Sequence, residues 1–312
     1  MQYGLFSGIL WGLDTVVLGI ALSMSPYLGT AEALSFAAIA SSFLHDAACA
    51  LWLAVYMGVR GRLKDTLAAL KTKSGLVVIA GALLGGPIGM TGYVLAINNI
   101  GAAYTAIISA FYPALGAFLS FVLLKEKMSA KQIAALIVAL AGVMATGYIS
   151  AGDAEMGNTA LGLVGAMLAV IGWGSEAVLC AWGMRDDAVD NETAIQIRET
   201  ASALVYGVVV LPLFGAWGFT AGAVPSLATG VVALSGLAGA ASYLFYYKGI
   251  AAIGAAKAMA LNISYSAWAV VFGFILQGTV PSAATVFFCV LILAGTVLAA
   301  SDWNELFGRR AA

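Results

Sequence analysis

The sequence predicts an all-α membrane protein with ten transmembrane helices, arranged as two five-helix repeats of inverted topology with both termini cytoplasmic. Composition, ten apolar runs of bilayer-spanning length and a repeat between the two halves carry that expectation. Of the 312 residues, 62% are hydrophobic and only 9% charged, whereas soluble domains are about 25% charged. The net charge of -1 leaves no basic face for nucleic acid. Cys49, Cys180 and Cys289 sit inside apolar runs without metal-ligand spacing, so neither a disulfide framework nor a metal site is expected. A single histidine argues against histidine-based metal or triad chemistry.

A membrane-crossing helix needs about 20 mostly apolar residues. Such runs occupy residues 3–24, 33–58, 75–97, 101–124, 131–149, 158–183, 193–216, 226–248, 254–277 and 282–300. Turn or charge signals separate them: Ser25-Pro26, the basic stretch at 60–64, Lys125-Glu126-Lys127, Arg185-Asp186-Asp187, Pro225, Lys248 and Pro281. The first run lacks a basic leader and a small-residue cleavage site, so it is expected to be the first helix rather than a signal peptide. The longest polar connection, residues 59–74, is too short for a soluble domain.

Basic residues concentrate in cytoplasmic loops. With the N-terminus inside, that side collects thirteen of the fourteen Lys and Arg, from Arg60 to Arg309 and Arg310. The opposite side holds only Glu32, Asp153 and Glu155, and Arg198 falls inside the seventh span. A multi-pass protein of the cell (inner) membrane follows.

Ile100-Gly101-Ala102-Ala103 recurs as Ile253-Gly254-Ala255-Ala256, an offset of 153. The same offset pairs Tyr112 with Tyr265, Phe121 with Phe274, and Leu140-Ala141-Gly142 with Leu293-Ala294-Gly295. Trp11-Gly12-Leu13-Asp14 matches Trp173-Gly174-Ser175-Glu176 at an offset of 162. The halves are therefore taken as residues 1–149 and 158–312. Five helices per half is an odd number, so the second copy runs through the membrane in the opposite sense. Secondary transporters are built this way, with the substrate near the midplane between halves. Most glycines read as helix packing, but Gly85-Gly86-Pro87-Ile88-Gly89 reads as a kink or hinge in the third helix.

An ionisable group at membrane depth costs several kcal/mol, which makes it a functional hypothesis. The sequence buries Asp14, His45, Asp46, Glu176, Arg198 and Glu199 at such depth. Four acids face one arginine, so the interior prefers a cation. Arg198 reads as pairing with Glu199, Asp46 or Glu176, a structural or gating role shared with Glu199 and Pro87. His45-Asp46 reads equally as a satisfied hydrogen-bonded pair or as part of a proton relay. Asp14 and Glu176 each follow a Trp by three residues, which puts ring and carboxylate on one helix face. Trp11, Trp173, Tyr112, Tyr265 and Trp268 fall at mid-depth with Asn262, and Tyr243 and Tyr247 are weaker candidates. Ring faces around a carboxylate suit a quaternary ammonium ion, which has no N–H to donate; each desolvated cation–π contact contributes about 2 kcal/mol.

These stretches resemble the EamA-like branch of the drug/metabolite transporter superfamily over the full chain, and more narrowly the bacterial lic-type choline importers. The narrower likeness rests on Gly86-Pro87-Ile88-Gly89-Met90 and Trp173-Gly174-Ser175-Glu176, with Gly8 to Gly12, His45-Asp46, Tyr112-Pro113, Ile197-Arg198 and Asn262 to Tyr265 alongside. It implies proton-coupled uptake of choline or a close analogue, with Trp11, Trp173, Glu176, Tyr265 and Trp268 as site positions. An acid at Asp14 departs from that branch.

The expected function is a secondary transporter for a quaternary ammonium compound. Trp11, Asp14, Tyr112, Trp173, Glu176, Asn262, Tyr265 and Trp268 are the candidate substrate contacts, and Asp14, His45, Asp46 and Glu176 the proton-coupling candidates. The alternative is a proton-antiport exporter of amino acids, drugs or other metabolites. A membrane enzyme would need a nucleophile–base pair that the lone His45 does not supply. The expected partners are a small cationic substrate, protons and the bilayer, with no cofactor; monomer and homodimer stay open.

Overall fold

The computed structural model describes residues 1–150, 157–185 and 189–303; Asp153, Glu155, Asp186, Asp187, Arg309 and Arg310 lie outside the described residues. The described residues that form regular structure are helical, and ten helices have the length and apolarity to cross a membrane. They are α1 (Gln2–Leu22), α2 (Ala31–Val59), α3 (Lys73–Gly101), α4 (Tyr104–Leu124), α5 (Ala130–Ile149), α6 (Thr159–Gly183), α7 (Asn191–Leu213), α8 (Leu227–Ile253), α9 (Ala255–Gln277) and α10 (Ala283–Ala300). Short helices at Leu63–Ala69 and Trp217–Ala223 fill two of the connections. Large apolar side chains such as Leu34, Leu51, Ile137, Phe121 and Phe274 are exposed. In a bilayer that exposure costs nothing, because acyl chains take the place of water. The protein is a multi-pass membrane protein.

Met1 lies beside Ser301, whose Oγ is 3.5 Å from the Met1 sulfur, so the chain starts and leaves α10 at one end of the bundle. Alternating passage then brings every described Lys and Arg except Arg198 to that end. Lys248 was expected in a connection, but it belongs to the last turns of α8, which runs on to Ile253. Its ammonium sits 4.7 Å from the centre of the Tyr3 ring, and this cation–π contact explains how a charge extends the helix. α4 likewise begins at Tyr104 rather than at Gly101.

The reason is the glycine. Gly101 (φ 78°, ψ 159°) and Gly254 (φ 86°, ψ 160°) adopt the same backbone conformation at the α3–α4 and α8–α9 joints. That region is essentially closed to residues with a Cβ, so the repeated Ile-Gly-Ala-Ala marks the same helix joint twice. The correspondence continues along the chain. α4 and α9 are each interrupted by a turn, at Ala110 and Phe111 and at Ile263 and Ser264, just before Tyr112 and Tyr265. Each ends on a left-handed residue, Lys125 (φ 59°) and Gly278 (φ 68°). α5 and α10 then open with matched caps: Ser129 Oγ accepts from Gln132 N at 3.3 Å and Ser282 Oγ from Thr285 N at 3.1 Å.

Packing follows the same pseudo-symmetry. α1 lies against α8 and α9, whereas α6 lies against α3 and α4; α2 meets α8, and α7 meets α3. α5 and α10 pack on each other, with Gly142 against Ile292 and Gly295 against Ala139. The first helix of each half thus packs across onto the other half.

Candidate functional site

Two helix faces build the centre. On α1, Ser7, Trp11 and Asp14 follow the i, i+4, i+7 spacing that puts them on one stripe, and the stripe faces α8. Ser242 Oγ donates to Ser7 O at 2.9 Å, the Trp11 and Tyr243 rings meet at 4.9 Å, and Ser235 Oγ donates to Asp14 Oδ1 and, at 3.1 Å, to Asp14 O. On α3, Gly81, Gly85 and Gly89 are spaced by four and form a groove for α6. Cys180 lies over Gly81, the Glu176 carboxylate over Gly85 and the Trp173 ring over Gly89. A Cβ on Gly85 would overlap the carboxylate. Leu84–Met90, in the middle of the groove, is a wider π-helical segment that contains Pro87. Pro87 has no N–H to give. Two residues before it, the Gly85 carbonyl accepts from Trp173 Nε1 at 3.1 Å.

Between these faces lie six buried ionisable groups, contributed by α1, α2, α6 and α7. Arg198 Nε donates to Glu176 Oε1 at 2.5 Å and Arg198 Nη1 to Glu199 Oε1 at 2.8 Å. His45 Nε2 lies 3.1 Å from Asp14 Oδ1, and His45 Nδ1 lies 3.5 Å from Asp46 Oδ1. Arg198 Nη1 reaches within 3.8 Å of Asp46 Oδ2 and links the two groups; the same oxygen accepts from Ser202 Oγ at 2.5 Å. Glu199 is fully buried and its Oε2 has no hydrogen-bond partner.

The groups repeat. His45-Asp46 and Arg198-Glu199 stand 153 positions apart, the offset of the helix joints, and Asp14 and Glu176 occupy matching places on α1 and α6. Each base binds the acid on the first helix of its own half, together with the acid beside it in sequence: Asp14–His45–Asp46 in the first half, Glu176–Arg198–Glu199 in the second. Each first-helix acid also lies over a glycine of the helix it packs on, Asp14 over Gly239 of α8 and Glu176 over Gly85 of α3. One base is a permanently charged guanidinium and the other a titratable imidazole.

The aromatic side chains divide in the same way. Trp11 meets Tyr243 and, at 6.0 Å, Tyr265. Trp173 meets Tyr93 at 5.1 Å and Tyr112 at 5.9 Å. Arg198 joins the two sets: its guanidinium carbon is 4.9 Å from the Tyr243 ring centre, while its Nε is bonded to Glu176, one helical turn from Trp173. Trp268 packs against Gly12 of α1, and its buried Nε1 has no partner. Asn262 is occupied by the protein itself. Its Oδ1 accepts from Tyr112 Oη at 3.2 Å, and its Nδ2 donates to Ser7 Oγ at 2.7 Å, a bridge linking α4, α9 and α1.

Sequence reasoning missed Ser7, Tyr93, Ser202 and Ser235. The stripe spacing with Trp11 and Asp14 was a usable signal for Ser7. Ser202 and Ser235 carry none, because a serine in an apolar helix looks the same whether or not it meets a carboxylate.

Ten membrane-crossing helices in two crossed, oppositely threaded repeats around a buried ionic centre define a membrane transporter. The model of the EamA-like transporter family matches residues 1–148 and again 160–301, and the chain belongs to that family, one of transporters of small substrates rather than of enzymes. Protein LicB of Haemophilus influenzae strain Rd is 31% identical over 220 residues, spanning 69% of this chain and 72% of LicB. A crystal structure with 19% sequence identity superposes with a TM-score of 0.74 over 99% of this chain and 97% of that one, a likeness of fold.

Proposed function

We propose that the protein moves a quaternary ammonium compound such as choline by alternating access, with proton-coupled uptake, and that the end bearing the termini and the basic residues is cytoplasmic. One observation carries the reading: an organic cation already rests among these rings and acids. The Arg198 guanidinium lies over the Tyr243 ring with Glu176 bonded to its edge, and Trp11 packs against the same tyrosine. A trimethylammonium group shares two of these needs, a ring face and a nearby anion, and has no N–H that requires a hydrogen-bond geometry.

The charge balance points the same way. Asp14, Asp46, Glu176 and Glu199 outnumber Arg198 and His45 even when both bases are charged. Buried charge without a counter-ion is costly, so the centre favours cations, either protons or a substrate. A membrane potential, negative inside, adds about 2.3 kcal/mol per 100 mV to the entry of a cation. In this scheme Trp11, Tyr243, Tyr265, Trp173 and Glu176 serve the ammonium ion, and Asn262 and Tyr112 hold the helix breaks in place around it. The resemblance of Gly-Pro-Ile-Gly-Met and Trp-Gly-Ser-Glu to lic-type choline importers supports the same substrate class.

Uptake of labelled choline into proteoliposomes tests this. Saturable uptake is expected in the wild type, with strong losses in Trp11→Ala and Glu176→Gln. Absence of uptake in the wild type, or competition by zwitterionic amino acids but not by choline, would overturn it.

A further inference from the structure

The two acid–base–acid groups are copies of one arrangement, and they differ in one respect. Arg198 cannot release its proton; His45 can. A neutral imidazole donates from only one ring nitrogen, yet carboxylates face both nitrogens of His45: Asp14 at 3.1 Å from Nε2 and Asp46 at 3.5 Å from Nδ1. Both contacts are satisfied only when the group holds one proton more than a neutral histidine and two carboxylates would. With that proton, each group carries two acids against one positive base, and the pseudo-symmetry extends to charge. Without it, the first half holds one negative charge more than the second.

We propose that Asp14, His45 and Asp46 form the site that binds the transported proton, the titratable counterpart of an ion-pair group held fixed by Arg198. The site belongs to the α1–α2–α8 contact. The ammonium position proposed above belongs to the Arg198–Tyr243–Glu176 side, so proton and substrate are bound by different acids. Asp14 of α1 and Asp46 and Cys49 of α2 meet the imidazole directly, and Gly239 of α8 lies against it. Of the charged groups of α7, Glu199 acts on it electrostatically and Arg198 reaches it through Asp46. Ser235 fixes Asp14 and Ser202 fixes Asp46, so each carboxylate keeps a donor when the imidazole proton leaves. Arg198, within 3.8 Å of Asp46 Oδ2, is the direct link through which a change of charge at His45 reaches the other group.

The inference rests on the reading of the protein as a proton-coupled transporter, and two measurements keep the two ideas apart. In proteoliposomes, choline accumulation driven by an inward proton gradient is compared with choline counterflow, which needs no net proton movement. A gradient of one pH unit is expected to drive about tenfold accumulation per coupled proton in the wild type. In His45→Arg, which turns the first group into a copy of the second, accumulation is expected to fall to the level without a gradient while counterflow remains measurable. Gradient-driven accumulation that keeps its wild-type ratio to counterflow in this variant would overturn the proposal. The second measurement needs no substrate. Because His45 is the one histidine of the chain, untagged protein gives a single set of imidazole resonances, of which the Cε1–H is followed. The resonance is expected to titrate with pH, and its curve to be displaced in Asp14→Asn; a resonance that ignores pH, or a curve that Asp14→Asn leaves in place, would overturn the proposal as well. Should the wild type fail to transport choline, the substrate reading fails, and the imidazole titration still decides the proton site.

Discussion

Glu176 lies over Gly85 so closely that the helix backbone of α3 serves as the floor of its carboxylate. The acid is held against its arginine from one side and against bare backbone from the other. Gly85→Ala should push the carboxylate off Arg198. Overpacking of this kind costs about 1–3 kcal/mol, and a lowered melting temperature together with impaired transport is the expected result. An unchanged melting temperature would show that the groove has room to spare.

Gly254 and Gly101 should be intolerant for a different reason. Alanine at either position must take a positive φ with ψ near 160°, a strain of about 1–3 kcal/mol. At Gly254 a Cβ would also meet the Glu126 carboxylate, which accepts from Ala255 N and Ala256 N at 3.1 Å each. Thermal unfolding in detergent checks both variants, and an unchanged melting temperature in either would show that its joint tolerates a side chain.

Removing Arg198 should be more harmful than removing the whole ion pair. Arg198→Met leaves Glu176 and Glu199 buried without their base, a loss of about 3–5 kcal/mol when a buried pair is broken from one side. Arg198→Met combined with Glu176→Gln should recover part of that loss in a double-mutant cycle. Additive effects would argue against direct coupling.

At the end that bears the termini, Asp190 caps α7 by accepting from Glu192 N and Thr193 N at 2.9 Å each. It is also paired with Arg62. Burial alone would raise the Asp190 carboxyl, but the Thr193 N–H and Arg62 outweigh it and hold the group below its usual value. A carboxylate depressed in the folded state stabilises fully above its unfolded value of about 4 and loses that contribution as pH falls through the folded value. Asp190→Ala should therefore cost about 1 kcal/mol near neutral pH and progressively less below about pH 4. Melting temperatures of the wild type and the variant should converge in acid.

Much of the architecture was legible because membrane helices announce themselves by length and apolarity, and all ten spans overlap the hydropathy runs, with α7 ending three residues early and α8 running on five residues further. What hydropathy could not see was a charge tolerated inside a helix. Lys248 looked like a boundary and is a buttress on Tyr3. The recurrence of Ile-Gly-Ala-Ala was visible, but its meaning, a joint that only glycine can form, needed the backbone angles. The central ion groups show the limit best. His45-Asp46 and Arg198-Glu199 share the repeat offset with Gly101 and Gly254, yet they escape a search for identical letters, because the duplicated feature is a base beside an acid and not a particular side chain. Partner choice inside the site, such as Asn262 spent on Tyr112 and Ser7, depends on distances that no spacing rule supplies.

The crossing of α1 onto α8 and α9, and of α6 onto α3 and α4, makes each half the lining of the other. Produced by itself, the first half would expose the glycine channel of α3 to acyl chains that cannot satisfy it, and the second half would do the same with α8. Severing the connection after α5 and producing both pieces together should therefore restore a working molecule, whereas either piece alone should be degraded: the unit that folds is the interlocked couple, and a duplication that reached this state could no longer be undone one copy at a time.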